Sequence, residues 1–310
     1  MPNSNSLTIT YNILVTGSNG QVGSEIKELS KVANSGCEAN FPRKDYPYNF
    51  FFTNRSNIDI TSKDSIRNFC KANSINVIIN CAAYTAVDKA ESDIENADLV
   101  NRKAVKKLSI IAKELNIKLI HISTDYVFDG KNFKPYVEEF QTNPQSVYGK
   151  TKLDGENEMR DINPLNSIII RTSWVYSYYG KNFVKTMLRL GREKEELGLI
   201  FDQVGTPTYA KHLALTILNI IPQIENHKVE IYNYSNEGVL SWYDFAKEIM
   251  KMAKLNCKIN PIETYQYPTP AKRPHFSLLN KSKIKSKFNL EIPYWKDGLD
   301  DCLKRLGERK

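Results

Sequence analysis

Short continuous apolar runs alternate with longer amphipathic stretches over the first 175 residues of the chain. The apolar runs predict strands that are buried on both faces, at residues 11–16, 50–53, 77–81, 119–123 and 168–171. Between them, apolar positions at helical spacing predict helices at residues 21–32, 62–72, 90–115 and 148–160. Strands and helices that alternate in this way predict an α/β fold built on a doubly wound parallel sheet.

The pattern changes after about residue 175, where Pro, Tyr, Asn and Thr become frequent and the strands less regular. Five prolines divide the last third into short pieces: Pro261, Pro268, Pro270, Pro274 and Pro293. We therefore expect a core over residues 12–175 and a smaller C-terminal lobe over residues 176–310, with late core elements interleaved. The Asn/Ser/Thr-rich residues 1–11 are expected to form a disordered leader.

Composition narrows the class of protein. An apolar fraction of 41% and a charged fraction of 25% are ordinary for a soluble chain of 310 residues, and no apolar run is long enough for a membrane span. The five cysteines lack metal-like spacing, which favours reduced thiols and a cytoplasmic location. The net charge of +8 is spread along the chain without a nucleic-acid-binding motif, so it suits a small anionic substrate or cofactor better than a nucleic acid.

A glycine-rich loop follows the first predicted strand, with Gly17, Gly20 and Gly23 spaced as Gly-x-x-Gly-x-x-Gly and Asn19 between them. Glycine allows a tight turn and a close approach of the backbone to a pyrophosphate, which then lies on the N-terminus of the next helix. The alternative is a simple strand-to-helix turn. Its position at the first strand–helix junction favours a cofactor loop in a Rossmann-like NAD(P)-binding core.

The segment after the second predicted strand bears on cofactor choice. Chains that bind NAD usually place a carboxylate there for the ribose 2′-hydroxyl, whereas this chain has Asn54 and Arg55. An arginine accommodates a 2′-phosphate, so NADPH is favoured and NADH stays open. Asp59 and Ile60 follow, where they could frame the adenine, and small residues at 81–83 would let the cofactor approach the next strand end.

Tyr148 and Lys152 are four residues apart in a predicted helix, so they share one face. A neighbouring ammonium favours the phenolate and is expected to lower the tyrosine pKa from its usual value of about 10. Such a phenol can exchange a proton with a sugar oxygen near neutral pH. Thr124, at the end of the fourth predicted strand, could bind the same oxygen. On its own, this spacing also occurs by chance on solvated helices.

Together these segments resemble the extended short-chain dehydrogenase/reductases and, more narrowly, the dTDP-4-dehydrorhamnose reductase family. The resemblance runs from about residue 12 to residue 295, and its most specific segments are residues 20–23, 82–91, 123–128, 147–153, 171–176, 182–190 and 268–274. It implies reduction of the C4 ketone of dTDP-4-dehydro-L-rhamnose to dTDP-L-rhamnose by hydride from a nicotinamide.

The resemblance also implies a role for particular residues. Tyr148 would be the general acid, Lys152 would hold the nicotinamide ribose and lower the tyrosine pKa, and Thr124 would orient the carbonyl. Further cofactor positions would be Gln21, Val22, Asn54, Asp59, Ile60, Ala82, Ala83 and Tyr84. Substrate positions would be Val87, Thr124, Asp125, Trp174, Asn182, Lys272 and Arg273. The family often has an aspartate where Asn54 stands, and it is associated with Mg²⁺ and with homodimers.

Three alternatives remain at this stage. A nucleotide-sugar dehydratase would have Thr-Asp-Glu at the strand end, where this chain has Tyr126 in place of the glutamate. A nucleotide-sugar epimerase would have two serines at positions 123 and 124. A non-catalytic regulatory subunit of the methionine adenosyltransferase type would share the fold without the reaction.

Overall fold

The computed structural model describes residues 10–33 and 47–309. Within these ranges the strands are β1 (Tyr11–Thr16), β2 (Tyr48–Phe52), β3 (Val77–Asn80), β4 (Lys118–Thr124), β5 (Ile168–Thr172), β6 (Val175–Tyr176), β7 (Glu196–Ile200), β8 (Val204–Gly205), β9 (Thr208–Tyr209), β10 (Glu230–Asn233), β11 (Leu240–Ser241) and β12 (Lys258–Ile262).

The helices of the described ranges are α1 (Gln21–Ala33), α2 (Lys63–Ala72), α3 (Val87–Ala90), α4 (Ile94–Asp98), α5 (Ala104–Glu114), α6 (Val147–Ile162), α7 (Phe183–Glu193), α8 (Ala210–Ile220), α9 (Trp242–Met252), α10 (Ser282–Phe288) and α11 (Trp295–Arg305). A π-helical turn at Leu99–Lys103 joins α4 to α5. Residues 90–115 therefore form two helices with a π turn between them, where the sequence pattern predicts one helix.

Six parallel strands form the main sheet in the order β10-β5-β4-β3-β1-β2. The five predicted strands are confirmed as β1 to β5. Every residue of β3 and β5 is buried, which explains their continuous apolar runs. β10 extends the sheet from a part of the chain well beyond residue 175.

Helices cover both faces of this sheet. Ile26 on α1 and Leu213 on α8 pack on one face, whereas Ile66 on α2, Leu108 on α5 and Met159 on α6 pack on the other. β1 lies between β2 and β3, so the chain leaves β1 to one side and returns to the other. Doubly wound sheets bind ligands at the carboxyl ends of strands where the order reverses in this way.

A second core supports the C-terminal elements. Met187 on α7, Phe245 on α9 and Leu299 on α11 are buried together there. Short two-stranded pairings, β7 with β12, β8 with β11 and β6 with β9, complete this region. Ser241 closes a capping box at the start of α9 with Asp244, which fixes where that helix begins.

Some expectations fall at the edge of the described residues. Residues 1–9 of the predicted leader and Cys37 lie outside them, and Tyr11 is the first residue of β1. The four described cysteines are free, at Cys70, Cys81, Cys257 and Cys302. Within the described ranges, each helix is too short or too polar to cross a membrane.

Candidate active site

The glycine-rich loop turns sharply between the end of β1 and the start of α1. Gly17 has a φ of +64°, and a Cβ there would lie 2.6 Å from the amide nitrogen of Ala82. A Cβ on Gly23 would lie 2.6 Å from the carbonyl oxygen of Gly17. Only glycine fits at these two positions, because the loop presses against the segment that follows β3.

A cavity of about 970 Å³ opens where β1, β2 and β3 end. Ten predicted cofactor residues line it: Gly17, Asn19, Gly20, Asn54, Arg55, Asp59, Ile60, Ala82, Ala83 and Tyr84. The wall also contains residues that the sequence analysis did not identify: Thr16, Ser56, Ile58, Thr61, Lys89, Asp93, Asn96, Leu99 and Val100. The size suits a large organic ligand, and the glycine cradle suits a pyrophosphate.

Gln21 and Val22 are predicted cofactor residues whose side chains face elsewhere. Val22 packs into the core beneath the sheet. Gln21 donates from Nε2 to the carbonyl oxygen of Val175 at 3.2 Å and accepts from Asn182 Nδ2 at 3.1 Å. A cofactor contact at these positions therefore falls to backbone N–H groups, which lack intrahelical partners in the first turn of a helix.

Two side chains in the wall next to β2 are held by short local hydrogen bonds. Asn54 Oδ1 accepts from the backbone nitrogen of Ser56 at 2.8 Å. Asp59 Oδ1 accepts from both the hydroxyl and the amide of Thr61, and these bonds hold the pKa of Asp59 below its usual value. Arg55 is exposed between them, and no described residue pairs with its guanidinium.

The π turn brings a buried asparagine into the wall behind Tyr84. Asn101 Oδ1 accepts from the Tyr84 nitrogen at 2.8 Å, and Asn101 Nδ2 donates to the Tyr84 oxygen at 3.1 Å and to the Thr151 hydroxyl at 3.2 Å. Gly155 on α6 lies so close that a Cβ would overlap the Asn101 carbonyl oxygen. Asn101 thus fastens the cavity wall to the helix that carries Tyr148, and in the sequence it is only one polar residue within a helical pattern.

Tyr148 and Lys152 lie on α6, as predicted, and Thr124 is the last residue of β4. The Ser146 hydroxyl caps α6 by accepting from the amide of Gly149 at 3.2 Å, which places Tyr148 in the first turn. A hydrogen bond joins the side chains of Tyr148 and Thr124. The structure therefore brings the three predicted catalytic residues into one buried group.

The expected effect of Lys152 on Tyr148 is wrong in this structure. Lys152 Nζ donates to the carbonyl oxygen of Ile122 at 2.6 Å rather than to the phenol. Burial raises the pKa of Tyr148 to about 12, and the bond to Thr124 only partly opposes this. Burial also lowers the pKa of Lys152 to about 8. Tyr148 is therefore protonated at neutral pH, as a proton donor must be.

Asp125 is buried beside Thr124 and has an unused acceptor. Its Oδ1 accepts from the Thr124 hydroxyl at 3.0 Å, whereas Oδ2 is buried without a hydrogen-bond partner among the described residues. Burial raises the pKa of Asp125 to about 7, although hydrogen bonds from Thr124 and Ser277 lower it in part. A buried orphan oxygen in a cleft is a natural acceptor for a ligand hydroxyl.

The other predicted substrate residues approach this group from the C-terminal region. Trp174 has a φ of +48° and stacks on Trp242 with ring centroids 3.6 Å apart. Arg273 makes a bidentate pair with Asp88, at 3.0 and 2.7 Å, directly after Val87 at the start of α3. This pairing fixes Arg273 near the site and neutralises part of its charge. Lys272 is exposed.

Asn182 serves the fold in this structure. Its Oδ1 caps α7 by accepting from the Lys185 amide at 3.1 Å, and its Nδ2 donates to Gln21, Ser177 and Tyr179. A substrate contact at Asn182 stays a prediction. In the described part of the chain, no group of three or more His, Cys, Asp or Glu side chains could hold a metal ion, so the residues present do not fit the Mg²⁺ expectation.

Comparisons with known proteins agree with this geometry. The model of the family described as RmlD substrate binding domain matches residues 11–308. The Escherichia coli K12 dTDP-4-dehydrorhamnose reductase is 40% identical, covering 95% of this chain and 98% of its own. The Clostridium acetobutylicum reductase structure has a TM-score of 0.87 at 38% identity, with 96% and 99% coverage. The Bacillus anthracis reductase, solved in complex with NADP, has a TM-score of 0.86 at 32% identity, with 96% and 100% coverage. The chain therefore belongs to the RmlD family of dTDP-4-dehydrorhamnose reductases.

Proposed function

We propose that the protein reduces the C4 ketone of dTDP-4-dehydro-L-rhamnose to dTDP-L-rhamnose with NADPH. The observation that carries the proposal is the buried group of Thr124, Tyr148 and Lys152 beside a cavity that begins at a glycine cradle. Family membership over nearly the whole chain supports this reading over an epimerase or a regulatory subunit.

The chain's own part in the reaction is to supply a proton and to orient the ketone. Bound NADPH supplies the hydride. The Tyr148 O–H bond breaks as the proton passes to the oxygen on C4, which leaves a phenolate that water reprotonates. Thr124, hydrogen-bonded to the same phenol, is positioned to donate to the ketone oxygen and orient it. Asp125 Oδ2 is available to accept from a sugar hydroxyl.

The remaining site assignments are part of the same proposal. Trp174, with one face already covered by Trp242, would offer its other face or edge to the sugar or base. Val87 and Arg273 would border the nucleotide at the start of α3. A nucleotide sugar is the class of substrate that fits the family, and we carry a homodimer and a cytoplasmic location forward as proposals for light scattering and cell fractionation to test.

NADPH preference is assigned to Arg55, because its exposed guanidinium has no partner among the described residues and lies in the cavity wall. Arg55→Ala should raise the KM for NADPH at least several-fold and leave that for NADH nearly unchanged. Arg160→Ala, at an exposed arginine on α6, is the matched control. Equal effects of Arg55→Ala on both cofactors would remove Arg55 from the 2′-phosphate site.

The central test follows NADPH oxidation with dTDP-4-dehydro-L-rhamnose. Tyr148→Phe should lower kcat by about 10²- to 10⁴-fold, the usual contribution of a general acid, with NADPH binding retained. Tyr136→Phe, at a buried tyrosine stacked on Phe128, controls for the loss of a buried hydroxyl. The proposal fails if wild type does not turn over, as a regulatory subunit would not, or if Tyr148→Phe turns over normally.

A further inference from the structure

A chain of buried polar side chains runs beneath the catalytic group. The Thr16 hydroxyl donates to Asn80 Oδ1 at 2.7 Å, Asn80 Nδ2 lies 3.0 Å from His121 Nδ1, and His121 Nε2 lies 3.3 Å from Lys152 Nζ. These residues are at most 1% exposed. The chain crosses from β1 through β3 and β4 to α6, and no role in the reaction proposed above accounts for His121.

The backbone fixes the direction of these hydrogen bonds. The amide of Ala82 can only donate, and it lies 3.3 Å from Asn80 Oδ1. The Asn80 oxygen therefore faces Ala82 and Thr16, and the amide nitrogen faces His121. Because that nitrogen only donates, His121 Nδ1 must accept.

The imidazole then presents a proton to Lys152. Burial and the nearby lysine hold the pKa of His121 well below its usual value, so the ring is neutral. With Nδ1 accepting, the single ring proton lies on Nε2, which points at Lys152 Nζ. An ammonium has no lone pair to accept that proton, whereas a neutral amine has one. Lys152 can accept from His121 and still donate to the Ile122 carbonyl only as an amine.

Other titratable groups act on Lys152 from the surrounding elements. Glu156, one turn along α6, favours the ammonium, as does Cys81 after β3. The negative charge of Glu156 is shared, because Arg171 on β5 pairs with it at 2.7 Å and the Ser123 hydroxyl on β4 donates to it at 2.5 Å. Burial outweighs these two groups and lowers the pKa of Lys152 to about 8.

We propose that His121, oriented by Asn80, is a positioning residue that opposes the charged form of Lys152 and so sets the upper pH limit of the reaction. The proposal rests on the proposed function, in which Lys152 serves Tyr148 and the cofactor ribose. In the enzyme without its ligands, Lys152 then titrates near neutral pH rather than remaining a permanent cation. Loss of the Nε2 proton donor would let Lys152 keep its charge at higher pH.

The tautomer can be measured without any turnover. The chain has four histidines, so ¹⁵N spectra of histidine-labelled protein are simple, and His121→Phe identifies the His121 signals by their loss. We expect a neutral ring with the proton on Nε2 from about pH 6 to pH 9. A ring protonated on Nδ1, or a charged ring in this range, overturns the proposal whatever the enzyme's activity.

The second measurement is the pH profile of kcat/KM for NADPH. In His121→Phe the alkaline limb should move up by about one pH unit, the usual effect of one neighbouring group. His212→Phe is the matched control, because His212 Nδ1 also lies against an asparagine amide, Asn236 Nδ2 at 2.8 Å, away from Lys152. An unmoved limb in His121→Phe refutes the proposal, whereas an inactive wild type refutes only the proposed function.

A second variant covers the case in which His121→Phe does not fold. Asn80→Asp replaces the amide donor with a carboxylate, which should draw the ring proton to Nδ1 and leave Nε2 free to accept from the Lys152 ammonium. The alkaline limb should again move up, and the ¹⁵N spectrum should report the reversed tautomer. Reversal of the tautomer without a shift of the limb would show that His121 does not control Lys152.

Discussion

Asp125→Asn should make the protein more stable at alkaline pH, because the native carboxyl resists ionisation. Asp125 is 2% exposed, and its Oδ2 has no partner among the described residues. Burial raises its pKa from 3.8 to about 7. An asparagine has nearly the same shape as the protonated acid and carries no charge at any pH.

The size of the effect follows from this pKa difference. A folded-state pKa above the unfolded value means that the stabilising contribution is complete below about pH 3.8 and is lost as the pH rises through about 7. A difference of about three units corresponds to about 4 kcal/mol, since each unit is about 1.4 kcal/mol. Most of this loss falls between pH 4 and pH 8.

The assay is urea unfolding of wild type and variant, followed by tryptophan fluorescence at several pH values. We expect the unfolding free energies to be similar near pH 4 and to differ by about 4 kcal/mol in favour of Asp125→Asn near pH 8. Asp161→Asn, at an exposed aspartate on α6, should show almost no pH-dependent difference. A difference that stays flat for Asp125→Asn, or that falls with pH, would refute the buried-acid argument.

Two further predictions concern α6. Gly155→Ala should raise the KM for NADPH and destabilise the fold by about 1–3 kcal/mol, because its methyl group overlaps the Asn101 carbonyl oxygen; Asn157→Ala, exposed on the same helix, should be near neutral in steady-state kinetics and thermal unfolding. Glu156→Gln should lower the unfolding free energy by about 3–5 kcal/mol, because it leaves the buried Arg171 without its counter-charge, whereas Glu193→Gln in an exposed pair should cost at most about 1 kcal/mol in the same urea titration.

The fold was largely predictable because its signals are local in sequence. Buried parallel strands are continuous apolar runs, and the loop at Gly17 must be glycine for reasons a motif records. β10 escaped this reasoning because its mixture of polar and apolar residues resembles the irregular segments around it. Its place in the sheet is decided by pairing with β5, a contact between distant parts of the chain.

The candidate site was predictable in its members and less so in its electrostatics. Spacing along a helix places Lys152 near Tyr148, yet it does not say that the ammonium turns towards Ile122 or that burial dominates the phenol. The partner of Arg273 is Asp88, 185 residues away in sequence. Asn101 and Ser277 acquire their roles only through packing, which no short motif encodes.

The π turn at Leu99–Lys103 also constrains how this helix can vary in length. A π turn places one more residue in a turn than an α-helix does, and each residue advances an α-helix by about 100°. Deleting one residue here would restore regular α-helical bonding but rotate α4 by about that angle relative to α5. Asn96 and Leu99 would then leave the cavity wall. Relatives that keep this cavity should therefore tolerate substitutions in this turn far more readily than single-residue deletions.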